Sequence, residues 1–223
     1  MLEFGHMTHP GHCRVRNEDT YYGDLDNGLW LIADGMGGQG RGERASAIVR
    51  DTIVTEVFAG HRLEDAIRMA HQAIISARGN QIMGSSVIAL QVQQNRYEIA
   101  WVGDTQAFVW DEHQLSSVNA LYPRHAQQGD HGPNAAVSQS KTHALGITDP
   151  TALTMSSLSG HVSAGMQWLL CSDGLGDQLD QQTMETVLQQ VDVSAQECVD
   201  ILIATALENG GSDNLTALLI RAP

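Results

Sequence analysis

Leu29-Trp30-Leu31-Ile32-Ala33-Asp34-Gly35-Met36-Gly37-Gly38 opens as an unbroken apolar run and closes on a carboxylate followed by glycines. Five apolar residues bounded by a turn signal read as a buried β-strand, and the glycines let the backbone turn tightly behind it. A carboxylate at that point is aimed by the sheet, and the neighbouring carbonyl can face the same cation. The design recurs in Gln167-Trp168-Leu169-Leu170-Cys171-Ser172-Asp173-Gly174, where an apolar strand ends on Ser-Asp-Gly. Either aspartate alone reads equally as an ordinary strand-end turn. Two of them make a pattern.

Further strands are predicted over 86–92, 97–102, 107–110 and 215–220, from alternation and β-rich composition. Between the first strand and these, 42–58 and 63–81 carry apolar residues at helical spacing, with Ala45, Ile48, Val49, Ile53 and Val57 in the first. Two later helices are predicted over 182–190 and Ala195–Glu208; Ser194 with Glu197 three residues on is a capping-box pattern. Helices in adjacent pairs and strands in succession are not the β-α-β alternation of a doubly wound parallel sheet. They fit an α+β layered fold built on antiparallel sheets. Residues 93–96 make a short polar hairpin connection, whereas about 119–150 is a long, aperiodic, polar stretch rich in Gly, Pro, His and Gln. No repeat or linker composition divides the chain, so residues 1–223 are expected to form one domain.

Hydrophobic residues make up 42% and charged residues 17% of the chain, the balance of a folded soluble protein. The apolar runs are too short to span a bilayer and the amino terminus has no leader-like pattern, so a cytoplasmic protein is expected. Cys13, Cys171 and Cys198 are odd in number and far apart, which suggests neither a disulfide framework nor a paired-cysteine zinc site. None of the ten histidines falls at a recognised ligand spacing. The net charge of −14, uninterrupted by a basic stripe, argues against nucleic acid and anionic membrane as partners. It also sharpens the carboxylate question, because clustered carboxylates repel one another and an anionic substrate unless a cation or proton intervenes.

Two more acidic signatures complete the set. Arg14-Val15-Arg16-Asn17-Glu18-Asp19 packs cations beside carboxylates, and the planar fork of Arg14 suits two oxygens of a phosphate. Gly211-Ser212-Asp213-Asn214 precedes the last strand, with Asn214 able to orient a carboxylate or a water. Asp104, in Val102-Gly103-Asp104, is a peripheral ligand candidate or a plain hairpin-turn aspartate.

Together with Gly84-Ser85-Ser86, these motifs in this order resemble the metal-dependent protein phosphatases of the protein phosphatase 2C type, in particular their short bacterial members. The resemblance runs from about residue 11 to residue 220. It implies a four-layer α-β-β-α sandwich, two antiparallel sheets flanked by helix pairs, with a two-metal site at one end. It implies Asp34, Asp173 and Asp213 as core ligands and the Gly35 carbonyl as a backbone ligand. Glu18 and Asp19 would bind the second ion or orient its waters, and Arg14 would hold the phosphate. Asp104 matches an aspartate that, in bacterial members, helps hold a third, weaker ion with the counterpart of Asp173. The implied catalytic set is therefore Arg14, Asp19 and Asp34, with Asn214 supporting the ligands.

Two divalent ions sharing a bridging water would supply hydroxide near neutral pH, and oxygen ligands favour Mn²⁺ or Mg²⁺ over zinc. The implied reaction is hydrolysis of phosphoserine and phosphothreonine on proteins, opposing a bacterial serine/threonine kinase, by a monomer. Met36 stands where many eukaryotic relatives have a histidine, Gln106 where many have an arginine, and 119–150 takes the place of the variable flap. The alternatives are a catalytically silent metal- or phosphopeptide-binding regulator and a phosphatase of the anti-sigma-antagonist type.

Overall fold

The structure is a computed structural model that describes residues 2–38, 40–121, 143–190 and 192–223. In chain order its elements are β1 (Glu3–His9), β2 (Asp19–Asp24), β3 (Leu29–Met36), α1 (Arg41–Phe58), α2 (Leu63–Arg78), β4 (Gly84–Gln93), β5 (Arg96–Val102) and β6 (Gln106–Trp110). There follow β7 (Leu115–Ser117), α3 (Val118–Leu121), β8 (Ser156–His161), β9 (Gln167–Cys171), α4 (Asp173–Gln178), α5 (Gln181–Leu188), α6 (Ala195–Glu208) and β10 (Leu215–Arg221).

Strands β2-β3-β4-β5-β8 form one antiparallel sheet and β1-β10-β9-β6-β7 the other. The apolar run of β3 is continuous because both of its faces are covered. Leu29, Leu31 and Ala33 pack with Ala45, Val49 and Ile53 of α1 and Ile67 and Ile74 of α2. Trp30 and Ile32 point the other way, into an inter-sheet core shared with Ile88, Trp168, Leu170 and Leu218. In the second sheet Leu169, Leu215 and Leu219 meet Cys198, Val199, Leu202 and Ile203 of α6. Three apolar layers therefore separate four structural ones, giving the α-β-β-α order. Full burial of such a Leu, Ile or Trp side chain contributes roughly 2–3 kcal/mol, before the entropy of ordering the chain is set against it.

The predicted strands and helices are present with end shifts of a few residues. The capping box forms: the Ser194 Oγ accepts from the Glu197 N–H at 3.2 Å, and Glu197 Oε2 accepts from the Ser194 N–H at 3.0 Å. Strands β1, β2 and β8 had no strong sequence signal. Of these, β8 reads Ser-Ser-Leu-Ser-Gly-His, and β2 is half-buried along most of its length. The Ser172-Asp173-Gly174 stretch, read as a strand-ending turn, instead starts helix α4 with Ser172 at its amino-terminal cap. Of the stretch expected to act as a flap, 122–142 lies outside the described residues.

Candidate metal centre

Antiparallel register collects the acidic signatures at one end of the sandwich. Asp19 at the start of β2 stands opposite Asp34 near the end of β3, and Asp34 stands opposite Ser86 at the start of β4. Asp104 follows β5, and Asp173 follows β9. Gly103, at φ +102°, brings the Asp104 turn against β4: a Cβ there would lie 2.2 Å from the Ser86 Cβ. Gly174 does the same for Asp173, since a Cβ on it would lie 2.1 Å from the Asn214 carbonyl oxygen.

Asp34, Asp104 and Asp173 each offer a carboxylate oxygen, and these atoms lie within 4.8 Å of one another. They line a cleft of about 440 Å³ with Arg14, Glu18, Gly35, Asp213 and Asn214. Asp104, read from its motif as a peripheral ligand candidate or a plain hairpin-turn aspartate, lies beside Asp34 and Asp173. Asp213 lines the same cleft and accepts from Arg14 Nη2 at 2.6 Å. That bond, followed by the charge of Asp213, raises the Arg14 pKa and keeps the guanidinium charged.

The carboxylates repel one another in a partly desolvated space. Burial, and then the charges of Asp19, Asp173, Asp104 and Asp213, hold the Asp34 carboxyl well above the usual range. Asp173 is pushed up to about 6, by burial first and then by Asp104 and Asp213. Burial likewise pushes Asp19 up to about 6, partly offset by the hydroxyls of Thr216 and Ser172. Asp19 Oδ2 accepts from Thr216 Oγ1 at 2.6 Å, while its Oδ1 is buried with no partner among the described residues. Mutual repulsion plus an orphaned buried carboxylate oxygen is the environment that a hard cation relieves. The donor set, all oxygen, fits Mn²⁺ or Mg²⁺.

Around this core the chain is braced. The Asn214 side chain accepts from the Glu18 N–H at 2.8 Å and donates to the carbonyls of Pro10 at 3.0 Å and Arg16 at 2.9 Å. One amide therefore clamps the segment that carries Arg14, Glu18 and Asp19. The Gly35 N–H donates to the Glu18 carbonyl at 3.1 Å. The Glu18 carboxylate packs on Gly42 at the start of α1, where a Cβ would come within 2.6 Å of it. Sequence reading missed Thr216 and Gly42. Both are near the motifs only in space, and neither carries a local pattern.

The family model described as protein phosphatase 2C matches residues 12–215. The chain belongs to the protein phosphatase 2C family. Among curated members of known name, the serine/threonine protein phosphatase PstP of Mycobacterium tuberculosis is 27% identical across 98% of this chain. The chain spans about half of that relative, 45% of its length. The serine/threonine phosphatase stp of Listeria monocytogenes is 26% identical, across 96% of this chain and 93% of its own. A crystal structure of the PstP catalytic domain in complex with two manganese ions superposes with a TM-score of 0.81 at 26% identity, covering 99% of this chain and 97% of that one. PppA, described as a key regulatory component of the T6SS in Pseudomonas aeruginosa, gives 0.80 at 27% identity, over 100% and 98% of the two chains. These neighbours share the two-sheet α+β architecture described above. No helix among the described residues is long and apolar enough to cross a membrane.

Proposed function

We propose that this protein phosphatase 2C family member hydrolyses phosphoserine and phosphothreonine monoesters on proteins, using two Mn²⁺ or Mg²⁺ ions. The observation that carries this reading is the convergence of Asp34, Asp104 and Asp173 within 4.8 Å, in a cleft that Arg14 also lines. Asp34, Asp173 and Asp213 would hold the core ions with the Gly35 carbonyl, Glu18 and Asp19 would bind the second ion directly or orient its waters, and Asp104 would serve a third, weaker ion. When bound, such ions supply an acidified water and positive charge for the phosphoryl oxygens.

The chain's own side chains supply the rest. Arg14 would leave Asp213 for the substrate, its fork matching two phosphate oxygens. Thr216 donates to one oxygen of Asp19 and so fixes the orientation of that buried carboxylate, which stands opposite Asp34. Asn214 keeps Arg14 and Glu18 in register with Asp213, whose Oδ1 accepts from the Asn214 backbone N–H at 2.8 Å. No side-chain nucleophile is required, and no phosphoenzyme forms. Residues 1–223 would form one domain, acting as a monomer in the cytoplasm and reversing a serine/threonine kinase.

The test is hydrolysis of an aryl phosphate and of a phosphothreonine peptide, with and without Mn²⁺, by wild type and by Asp34→Asn. Metal-dependent turnover of both substrates, lost in the variant, is expected. No turnover by wild type, or turnover that survives both chelation and the substitution, would overturn the proposal.

A further inference from the structure

Arg14 and Arg16 stand on either side of Val15 on the wall of the same cleft, and Val15 is 98% exposed. The two cations are placed differently. Arg14 is bonded to Asp213 at 2.6 Å, whereas the ion pair of Arg16 is with Glu43 at 3.6 Å, between side chains 62% and 61% exposed. An exposed pair at that distance contributes at most about 1 kcal/mol, so another anion can readily replace Glu43.

The backbone of Arg16 is nevertheless held in place, its carbonyl accepting from Asn214 Nδ2 at 2.9 Å. Its guanidinium occupies the space left by Gly40, where a Cβ would lie 2.6 Å from Nη1. Gly40 has φ +76°, so a side chain there would be strained. A backbone fixed by the site and a side chain given room beside it describe a cation positioned at the cleft mouth.

The rest of the chain makes that placement consequential. With a net charge of −14 the protein repels acidic peptides at long range, and a cation at the mouth reverses this locally. We propose that Arg16 is a specificity-determining residue that selects phosphopeptides with an acidic side chain close to the phosphorylated residue. Arg14 takes the phosphate and Arg16 the neighbouring carboxylate. Residues two apart have Cα atoms no more than about 7 Å from each other, so the acidic residue lies within two positions of the phosphoresidue in an extended peptide. This inference rests on the phosphatase reading above.

Three phosphothreonine peptides, identical except for Asp, Ala or Lys two positions from the phosphothreonine on each side, test it with Mn²⁺ present. Wild type is expected to prefer Asp over Ala by about threefold to fivefold in kcat/KM, carried by KM, with Lys the poorest, as one exposed charge pair allows. Arg16→Glu should invert the order, Arg16→Ala should flatten it, and Glu43→Gln should widen the Asp preference by removing the competing carboxylate. An order of preference is internal to each variant, so reduced stability cannot imitate the inversion. Equal kcat/KM for the three peptides in wild type, or an unchanged order in Arg16→Glu, overturns the role of Arg16. Failure of wild type to cleave any of them defeats the phosphatase reading itself.

Discussion

Strand β2 carries an aspartate at each end, and the two live under opposite conditions. Asp24, at the hairpin end, accepts from the N–H groups of Asp26 and Asn27, from the Asn27 amide and from the Tyr22 hydroxyl, all between 2.8 and 3.1 Å. Those bonds, the Asn27 side chain first, hold its pKa below the ordinary value. Asp19, five residues away, is buried with one oxygen unpartnered, and its pKa is raised to about 6. A carboxylate satisfied by its own turn is structural. One that its surroundings leave wanting a positive charge belongs to a site.

The strongest attempt to break that contrast is Asp34→Asn. Loss of metal-dependent turnover by at least about 10³-fold, roughly 4 kcal/mol of transition-state stabilisation, is expected. The chelated variant should also melt above chelated wild type, because a repelling charge has been removed. A variant that hydrolyses normally, or that melts lower without metal, would show that the upward shifts mark nothing functional.

Asn214→Ala comes next, since it leaves the Pro10 and Arg16 carbonyls and the Glu18 N–H without their amide. A loss of about 2–3 kcal/mol in denaturant unfolding is expected, with a KM increase larger than any fall in kcat as Arg14 loosens. Unchanged stability would remove the clamp from the account of the site.

The two acid populations should also separate in pH. At the metal end the folded-state pKa values of Asp19 and Asp173 are raised to about 6, so the folded protein holds protons that the unfolded chain releases. Chelated protein should therefore gain on the order of 2 kcal/mol as pH falls from about 7.5 to about 5. With Mn²⁺ the same fall should cost stability, because protons compete with the ion. Asp24 and Asp180, both lowered, act in another window: their contribution is present above the unfolded pKa and is lost as pH falls through the folded one. Titration of thermal unfolding with and without chelator reads both. Parallel curves would contradict the distinction.

Smallest is Asp24→Ala, expected to cost about 1 kcal/mol at a half-buried turn and to leave turnover unchanged. A substantial loss of activity from this end of the sandwich would mean that the two ends are coupled.

The sequence was most informative where local pattern and burial coincide. The runs ending at Ala33 and Cys171 are apolar at every position because layers cover both strand faces, and the Ala195–Glu208 helix declares itself through its periodicity and its capping box. Strand β8 gave no such signal. It is an edge strand with serines on alternating exposed positions, held by pairing with β5 rather than by its own preference. The acidic motifs were legible as a set, with Asp19, Asp34, Asp104, Asp173 and Asp213 all in view. Their distances were not: Gly103 lets the Asp104 turn close onto Ser86, and carboxylate oxygens of Asp34, Asp104 and Asp173 lie within 4.8 Å of one another.

Chain chemistry alone indicated the buried strands, the longer helices and a candidate set of carboxylates, because apolar periodicity, caps and strand-end aspartates are local properties. Tertiary structure decided who meets whom. Register put Asp19 across from Asp34, the packing of two sheets placed Thr216 against Asp19 from 197 positions away, and glycines at 40, 42, 103 and 174 set how closely backbone and carboxylates approach. Distances of a few ångströms between residues remote in sequence follow from packing, and no window of sequence contains them.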